Sequence, residues 1–149
     1  IHVDGACVNN GSSTARASAG VCFGENSQYN WAGVLDSNKH PQTNQSAELF
    51  AALRALRIVK LHRVAGHKVW RKARKVIIIT DSAYVVNGTT KWINGWKNNG
   101  FINSKGASVV NARKFKQLDA LISELELEGV EVLFWRVDRQ YNQDADRLA

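Results

Sequence analysis

A chain of 149 residues with 44% hydrophobic and 22% charged residues has the composition of one ordinary globular domain with a single core. No apolar run approaches the ~20 residues of a membrane-spanning helix, and nothing at the start resembles a cleaved signal peptide. The net charge of +7 favours a polyanionic partner, most simply nucleic acid, although many basic domains bind nothing in particular.

The two cysteines, Cys7 and Cys22, stand in segments that resemble strands and lack the spacing of metal ligands. The pattern allows a disulfide across two strands but favours reduced thiols, which are typical of nuclear and cytoplasmic proteins. We therefore expect an intracellular monomer that is not attached to a membrane. Because the sequence begins inside a predicted strand and without methionine, we interpret residues 1–149 as one domain trimmed from a longer chain.

The first part of the chain predicts an antiparallel meander followed by a helix. The segments IHVDGACV, SAGVCFG and NWAGVLD read as short strands separated by turn-rich sequence. The pattern then becomes helical in TNQSAELFAALRALRIVKL, where Thr43 or Asn44 is well placed to cap the start. One face of this predicted helix carries Leu49, Ala52, Leu53, Leu56 and Val59.

Residues 60–75, called the basic segment below, contain many lysine, arginine and histidine residues and no acidic residue. Two interpretations fit this composition equally well. The basic segment is either a solvated loop or helix extension, or a surface that faces nucleic acid.

The second part of the chain alternates strands and helices. The run KVIIIT predicts a strand buried on both faces and ends at Asp81; a short helix, SAYVVNGTTKWINGW, and a polar loop follow. NARKFKQLDALISELELEG predicts an amphipathic helix with Asn111 as cap and Gly129 as stop. VEVLFWRV predicts the next strand, and NQDADRLA begins a last helix. This order predicts an α/β fold with a mixed sheet, in which the meander lies beside parallel strands joined through helices.

Four acidic residues stand in surroundings that are unusual for simple solvation: Asp4, Glu48, Asp81 and Asp146. Singly, each has an ordinary explanation as a turn residue, a helix-dipole partner, an N-cap or a solvated side chain. Together in one cleft they would repel and raise one another's pKa unless a cation were bound. Hard carboxylate oxygens without histidine or thiolate partners favour Mg²⁺ or Mn²⁺ over zinc. The sequence alone does not show that the four converge.

Several motifs in order resemble the type 1 ribonuclease H family: VDGAC at 3–7, QTNQSAE at 42–48, TDSAYVVNGTTKWINGWKNNG at 80–100 and DADRLA at 144–149. The resemblance implies a five-stranded mixed sheet flanked by helices. It also implies that Asp4, Glu48, Asp81 and Asp146 bind two Mg²⁺ ions, or Mn²⁺, beside the scissile phosphate. One ion would activate a water and the other would stabilise the leaving 3′ oxygen. The implied activity is hydrolysis of the RNA strand of RNA–DNA hybrids, leaving 5′-phosphate and 3′-hydroxyl ends.

The resemblance also assigns residues that hold the hybrid. Residues matching nucleic-acid contacts near the minor groove and the RNA 2′-hydroxyls are Cys7, Asn9, Asn10, Asn44 and Gln45. Trp92, Trp96 and Ser104 match a channel for the DNA strand, and Thr43 and Asn111 match a pocket that grips a DNA phosphate. From the residues alone, the two asparagines at 9 and 10 are better explained as turn formers, and two tryptophans four residues apart are more often core. We assign Trp31 and Trp135 to the core.

Two departures from the family pattern are visible. The arginine that usually completes the phosphate pocket falls at Pro41, so either the basic segment compensates or hybrid affinity is reduced. The loop RVDRQYNQ lacks the histidine that many members carry before the last helix. The spacing of Arg139, Asn142 and Asp146 resembles a branch without that histidine. There Arg139 and Asn142 are candidate auxiliary residues, although an ordinary surface arginine fits position 139 equally well.

These departures keep two alternatives open: a non-catalytic module that binds RNA–DNA hybrids, and the ribonuclease H domain of a retroelement polyprotein. Of the other aspartates near the end, Asp144 is expected to point to solvent or toward the helix N-terminus, and Asp138 has no assigned role.

Overall fold

A computed structural model describes all residues, 1–149, and contains the five-stranded mixed sheet that the sequence predicts. The strands are β1 (His2–Val8), β2 (Arg16–Cys22), β3 (Trp31–Val34), β4 (Lys75–Thr80) and β5 (Glu131–Arg136). Their spatial order is β3-β2-β1-β4-β5. The first three strands form the antiparallel meander, and β4 runs parallel to both β1 and β5.

Six helices flank the sheet: α1 (Asn44–Val64), α2 (Lys68–Lys72), α3 (Ala83–Asn87), α4 (Ile93–Asn98), α5 (Ala112–Leu127) and α6 (Gln143–Asp146). A π-helical turn, Gly88–Trp92, joins α3 to α4, and a 3₁₀ turn, Arg139–Tyr141, precedes α6. No helix is long and apolar enough to cross a membrane.

The core lies between the sheet and helices α1 and α5. All five residues on the predicted apolar face of α1 are buried, as expected from their helical spacing. The helix starts where the sequence predicts, because the Thr43 hydroxyl accepts a hydrogen bond of 3.2 Å from the Ser46 amide. At the end of α5, Gly129 adopts φ of +79°, which confirms it as the residue that stops the helix.

The other face of the sheet is less completely covered, and two predictions fail there. Trp135 is 59% exposed and is not a core residue. In β4, Ile78 is fully buried, but Ile77 and Ile79 are only half-buried, so the strand is not buried on both faces. The reason is that α6 is short and packs mainly against β1 and β2. Trp31 is also half-buried, at the border of the core against Phe50.

Two smaller expectations concern Asn111 and the cysteines. Asn111 does occupy the N-cap position of α5, but it has a left-handed backbone (φ 60°) and its side chain makes no capping hydrogen bond. Instead its amide donates to the Tyr84 hydroxyl at 3.4 Å. Cys7 and Cys22 lie at opposite ends of the β1–β2 pair and both are free thiols.

Candidate active site and nucleic-acid interface

The register of the parallel strands positions the candidate carboxylates. His2 of β1 pairs with Ile79 of β4, so two residues further along Asp4 is level with Asp81. Asp81 comes directly after β4, at the edge where the carboxyl ends of parallel strands commonly form sites. The guanidinium Nε of Arg136, the last residue of β5, donates to the Asp81 carbonyl oxygen at 3.4 Å. The edge of the sheet thus carries both acidic and basic groups.

Asp4 is the most strongly perturbed carboxyl group. It is only 7% exposed, and burial together with the neighbouring carboxylates of Asp81 and Asp146 raises its pKa to about 7. Like charges brought together in a poorly solvated site disfavour each other's ionised form. The structure therefore brings Asp4, Asp81 and Asp146 within electrostatic reach of one another.

Glu48 reaches the same edge from the first turns of α1. Its carboxylate accepts a hydrogen bond of 2.5 Å from the Ser82 hydroxyl, and burial, with a contribution from Asp81, raises its pKa. The helix approaches β1 very closely, since a Cβ atom on Gly5 would lie 2.2 Å from the backbone nitrogen of Glu48. Glycine at position 5 thereby sets how near Glu48 lies to the neighbouring Asp4.

Asp146 is brought to the site by a buried asparagine. Asn142, 1% exposed, donates from its side chain to the carbonyl oxygen of Val3 at 2.9 Å, and its Oδ1 lies 3.0 Å from Nδ1 of His2. Its backbone carbonyl accepts from the Asp146 amide at 3.1 Å. Asn142 therefore links the start of α6 to β1, beside Asp4.

Arg139 forms an ion pair with Asp146, at 2.5 Å between guanidinium Nη2 and Oδ1. This hydrogen bond, reinforced by the charges of Asp4 and Asp81, raises the pKa of the arginine. Asp144 points away from the site and pairs with Arg147, an orientation toward solvent that the sequence anticipates. Asp138 lies just before the 3₁₀ turn, and its backbone carbonyl accepts from the Tyr141 amide at 2.8 Å.

The candidate carboxylates interact electrostatically but are not arranged as a ready metal cage. No group of three or more histidine, cysteine, aspartate or glutamate side chains has positions that could hold a metal ion. The chemistry of the donor set nevertheless fits a hard divalent cation, because it consists of carboxylate oxygens whose repulsion a cation would relieve.

The polar residues predicted to contact RNA lie in two adjacent segments. Asn9 sits in a left-handed turn (φ 53°) with its side chain tied to Thr14, and Asn10 Oδ1 accepts from the Asn44 amide at 3.4 Å. The β1–β2 turn is thereby joined to the start of α1. Cys7 is half-buried, and its thiol donates to the carbonyl oxygen of Gln42 at 3.4 Å. The side chains of Asn44 and Gln45 are exposed.

The two tryptophans predicted to face DNA have different environments. Trp92 is 42% exposed, whereas Trp96 is half-buried against Phe101 and Phe115, with its ring centroid 5.0 Å from that of Phe115. The two indole centroids are 5.8 Å apart. Ser104 is exposed in the following loop. The structure thus combines an exposed indole with one that is largely core.

Thr43 and Asn111 line one cavity of about 610 Å³. Pro41 lies in the same lining, so no arginine occupies that position. The basic segment contributes no residue to this cavity.

Ser82, His2 and Gln42 hold neighbouring groups in place, and no role is predicted for them from the sequence. The Gln42 amide bridges three backbone groups, including the Ala17 amide at 2.7 Å and the Leu35 carbonyl at 3.2 Å. The signal for Ser82 was its place directly after Asp81, at a helix start. Gln42 begins the QTNQSAE motif, but its role and that of His2 could not be predicted, because their partners are remote or belong to the backbone.

Comparison with known proteins identifies the family. The model of the family described as RNase H matches residues 1–149. The chain belongs to the RNase H family. Ribonuclease H1 of Mus musculus is 34% identical over 149 residues, which are 100% of this chain and 48% of that protein. Ribonuclease H of Wolbachia pipientis wMel is 32% identical over 139 residues, covering 87% of this chain and 88% of that protein.

Solved structures of other proteins share the fold. The foamy viral protease-reverse transcriptase in complex with RNA/DNA hybrid gives a TM-score of 0.66 at 23% identity, covering 99% of this chain and 19% of that one. LC11-RNase H1 in complex with RNA/DNA hybrid gives 0.63 at 19% identity, with 99% and 90% covered. The chain spans about half the length of the mammalian RNase H relatives that it matches.

Proposed function

We propose that the chain is an endoribonuclease that hydrolyses the RNA strand of RNA–DNA hybrids and requires a divalent metal ion. The observation that carries this proposal is the buried Asp4 carboxyl group, whose pKa is raised by Asp81 and Asp146. Repelling carboxylates in a poorly solvated site are characteristic of functional sites, where a cation or a proton relieves the repulsion. Membership of the RNase H family supports the choice of substrate.

Asp4, Glu48, Asp81 and Asp146 would hold two Mg²⁺ ions, with Mn²⁺ as an alternative. When bound, such ions activate a water for in-line attack and stabilise the leaving 3′ oxygen, which leaves 5′-phosphate and 3′-hydroxyl ends. The donor set supports Mg²⁺ because it contains only hard carboxylate oxygens.

The chain's own residues orient these carboxylates. Ser82 donates to one oxygen of Glu48 and so restricts its rotation, and Asn142 holds the start of α6 against β1. Arg139 lies beside Asp146 with a guanidinium that stays protonated, and would contribute positive charge next to the scissile phosphate. Arg139 and Asn142 are therefore proposed as auxiliary residues, the first through charge and the second through positioning.

The hybrid would be held by polar groups on one side and by an aromatic surface on the other. Asn9, Asn10, Asn44 and Gln45, with Cys7 beside them, are proposed to contact the minor groove, where amides can both donate to and accept from RNA 2′-hydroxyls. Trp92, Trp96 and Ser104 are proposed to line the path of the DNA strand. The exposure of Trp92 supports this role, since an exposed indole offers a flat apolar surface to a deoxyribose. Thr43 and Asn111 are proposed to contact a DNA phosphate from the cavity that they share.

A cleavage assay on a labelled hybrid tests the proposed function. The RNA strand should be cut in Mg²⁺ or Mn²⁺, and the Asp81→Asn variant provides the blank. A DNA duplex and an RNA duplex of the same sequence should stay intact. No cleavage above the blank would contradict the proposal.

The alternative of a non-catalytic hybrid-binding module is favoured by one observation, the Arg139 guanidinium that engages Asp146. Under that alternative, the arginine would replace the metal as the partner of the carboxylates. Metal titration by calorimetry separates the two: a catalytic site binds Mg²⁺ or Mn²⁺ with an affinity that Asp81→Asn abolishes, and a pure binding module shows no such site. We further propose that residues 1–149 act as a single catalytic domain and as a monomer in the nucleus or cytoplasm, where free thiols persist.

A further inference from the structure

The basic segment lies at the end of the molecule opposite the candidate carboxylates. Helix α1 runs from one end to the other, and Val64 follows Glu48 by 16 residues, or about 24 Å along the helix. Strand β4 leads back, and Asp81 comes about 20 Å after Lys75. The residues proposed to contact the minor groove also lie at the carboxylate end, near the start of α1. The basic segment therefore faces a different stretch of nucleic acid from the one held at the carboxylates.

The backbone of the basic segment is anchored to the body of the protein. The Arg63 side chain, which is 8% exposed, pairs with Glu128 and donates from Nη1 to the carbonyl oxygens of Trp70 at 2.5 Å and Ala73 at 3.0 Å. The Trp70 ring packs with its centroid 5.0 Å from that of Tyr29, which precedes β3. These contacts hold α2 against α1 and the β2–β3 connection, so the exposed side chains of α2 project from a fixed backbone.

Several charges of the basic segment are not neutralised within the protein. The exposed basic side chains without an ion pair are Lys68, Arg71, Lys72 and Arg74. Three of them lie three and four residues apart on one face of α2, an arrangement of like charges that destabilises a helix. The acidic partners at this end of the molecule, Glu124, Glu128 and Glu131, are already paired with Lys60, Arg63 and Lys75. The unneutralised charges therefore favour a polyanion as the partner of this surface.

Two of the unpaired arginines, Arg71 and Arg74, line a concave site of about 480 Å³ together with Val64. The other lining residues, Arg63 and Glu128, are paired with each other. Apolar side chains are also exposed in the basic segment, at Leu61, Val64 and Val69. A guanidinium plane can stack on a base or bind a phosphate, and an aliphatic side chain offers an apolar contact to a base. Because a duplex keeps its bases stacked, this combination fits a single strand better than a duplex.

We propose that the basic segment is a second nucleic-acid site, which binds single-stranded RNA or DNA that continues from a hybrid held at the carboxylates. Arg71 and Arg74 contact phosphates of the single strand, and Val64 contacts a base. Recognition rests on charge and on exposed bases, without sequence preference. Binding at this site requires no cleavage, so the proposal goes beyond the proposed nuclease activity. A flexible strand that crosses the 20–24 Å estimated above would join the two sites and make binding bivalent.

The test compares a blunt RNA–DNA hybrid with the same hybrid carrying a single-stranded tail. Binding is measured by fluorescence anisotropy in the Asp81→Asn background, so that no cleavage occurs. A tail of about 20 nucleotides, at about 3.4 Å each, exceeds the distance between the two sites. The tail should tighten binding by about tenfold or more. It should also steepen the slope of log affinity against log salt by about 0.7 for each phosphate contacted. Thymidine and uridine tails should have similar effects.

Two double variants locate the tail on the protein. Arg71→Gln with Arg74→Gln should abolish the gain in affinity from the tail and leave the affinity for the blunt hybrid unchanged. Both arginines are exposed and unpaired, so the variant should keep the melting temperature of the unmodified chain. Arg71→Lys with Arg74→Lys is the matched control. It keeps both charges, so the steeper salt slope of the tailed hybrid should remain.

A gain from the tail that disappears only when the two charges are removed supports the proposal. Equal affinity for blunt and tailed hybrids overturns it, as does a gain that survives Arg71→Gln with Arg74→Gln. An extension of duplex DNA that binds as well as the tail would assign the surface to duplex phosphates and overturn the proposal. Tighter binding of a glutamate-rich peptide than of a free thymidine tract would assign the surface to an acidic protein, with the same consequence.

The second site and the proposed nuclease activity can fail separately. Cleavage of the hybrid by the chain with Asp81, without any effect of the tail, would contradict the second site and leave the nuclease intact. A thymidine tract bound through Arg71 and Arg74, without cleavage of any hybrid, would retain the second site and contradict the nuclease.

Discussion

The side-chain amide of Asn142 donates a hydrogen bond of 2.9 Å to the carbonyl oxygen of Val3, the residue immediately before Asp4. The same side chain meets His2 through its Oδ1, and the Asn142 carbonyl accepts from the Asp146 amide. One buried residue thus joins the strand that carries Asp4 to the helix that carries Asp146. The two carboxylates are far apart in the sequence, and this contact holds their backbones together.

Asn142→Ala should therefore affect both stability and the site. The Val3 carbonyl would be left buried without its donor, which costs about 1–3 kcal/mol of unfolding free energy. Metal affinity should also fall, because Asp146 is no longer held beside Asp4. Urea denaturation and calorimetric titration with Mg²⁺ measure the two effects. Gln143→Ala, at an exposed neighbouring position, should change neither; equal behaviour of the two variants would rule out a positioning role for Asn142.

Gly5→Ala should lower the free energy of unfolding by more than an ordinary exchange of glycine for alanine does. The new Cβ would lie 2.2 Å from the Glu48 nitrogen and 2.3 Å from the Ala47 carbonyl carbon, so α1 has to move away from β1. We expect a loss of roughly 3 kcal/mol or more, or failure to fold. Gly95→Ala in α4 is the control: nothing lies within 4 Å of its Cβ, and alanine should stabilise the helix by up to about 1 kcal/mol. Similar melting temperatures for the two variants would contradict the close approach.

The titration of Asp4 predicts opposite effects of pH on stability and on metal binding. Its pKa is raised from 3.8 to about 7, so between these pH values the folded state binds more protons than the unfolded chain. The contribution of Asp4 to the free energy of unfolding therefore decreases as pH rises across this window. Asp4→Asn should flatten the profile and raise stability at pH 8, in chelator, by on the order of 1–2 kcal/mol. Thermal denaturation across pH 4–8 measures this, and an unchanged profile would mean that Asp4 is not perturbed.

Metal affinity should increase with pH, whereas the contribution of Asp4 to stability decreases, because the metal ligands must be deprotonated. The affinity for Mg²⁺ should rise from pH 6 to pH 8, with release of protons on binding. Calorimetry in two buffers of different ionisation enthalpy counts those protons. Asp144→Asn provides a control of equal charge change, since Asp144 pairs with Arg147 away from the site.

Elements with a clear local pattern could be predicted from the sequence. The apolar residues of α1 recur at helical spacing, and the Thr43 cap and the Gly129 stop are signalled by single residues whose backbone or side-chain chemistry suits those positions. The mixed sheet followed from the order of strands and helices. The four carboxylates stood out because their surroundings are unusual for simple solvation, and the resemblance to a family then joined them.

Features that depend on remote contacts could not be predicted. The sequence predicts Trp135 as a core residue. Its exposure depends on how far α6 extends over the sheet. Lys114 is 6% exposed, and it lines a cavity together with residues 38–41, which are remote in the sequence. The hydrogen bond between Asn142 and Val3 spans 139 residues, so no local sequence pattern predicts it.

Trp92 and Trp96 should separate into a binding residue and a packing residue. Trp92→Ala should weaken hybrid binding by about 1–3 kcal/mol, the range for loss of one aromatic stacking contact, with a small change in stability. Trp96→Ala should cost about 3–5 kcal/mol of stability, because its indole packs against Phe115 and Phe101. Fluorescence anisotropy with a labelled hybrid and chemical denaturation distinguish the two effects. If Trp92→Ala binds as well as the unmodified chain, the exposed indole is not part of the interface.

Cleavage of an RNA–DNA hybrid in the presence and absence of Mg²⁺ tests the central claim most directly. The hybrid carries separate labels on its two strands, and the chain is compared with Asp81→Asn and with the chain in chelator. We expect fragments of the RNA strand alone, ending in 3′-hydroxyl and 5′-phosphate, only for the chain with Asp81 and only with Mg²⁺ or Mn²⁺. Equal RNA cleavage by Asp81→Asn or in chelator, or none under any condition, would contradict a metal-dependent nuclease built on these carboxylates.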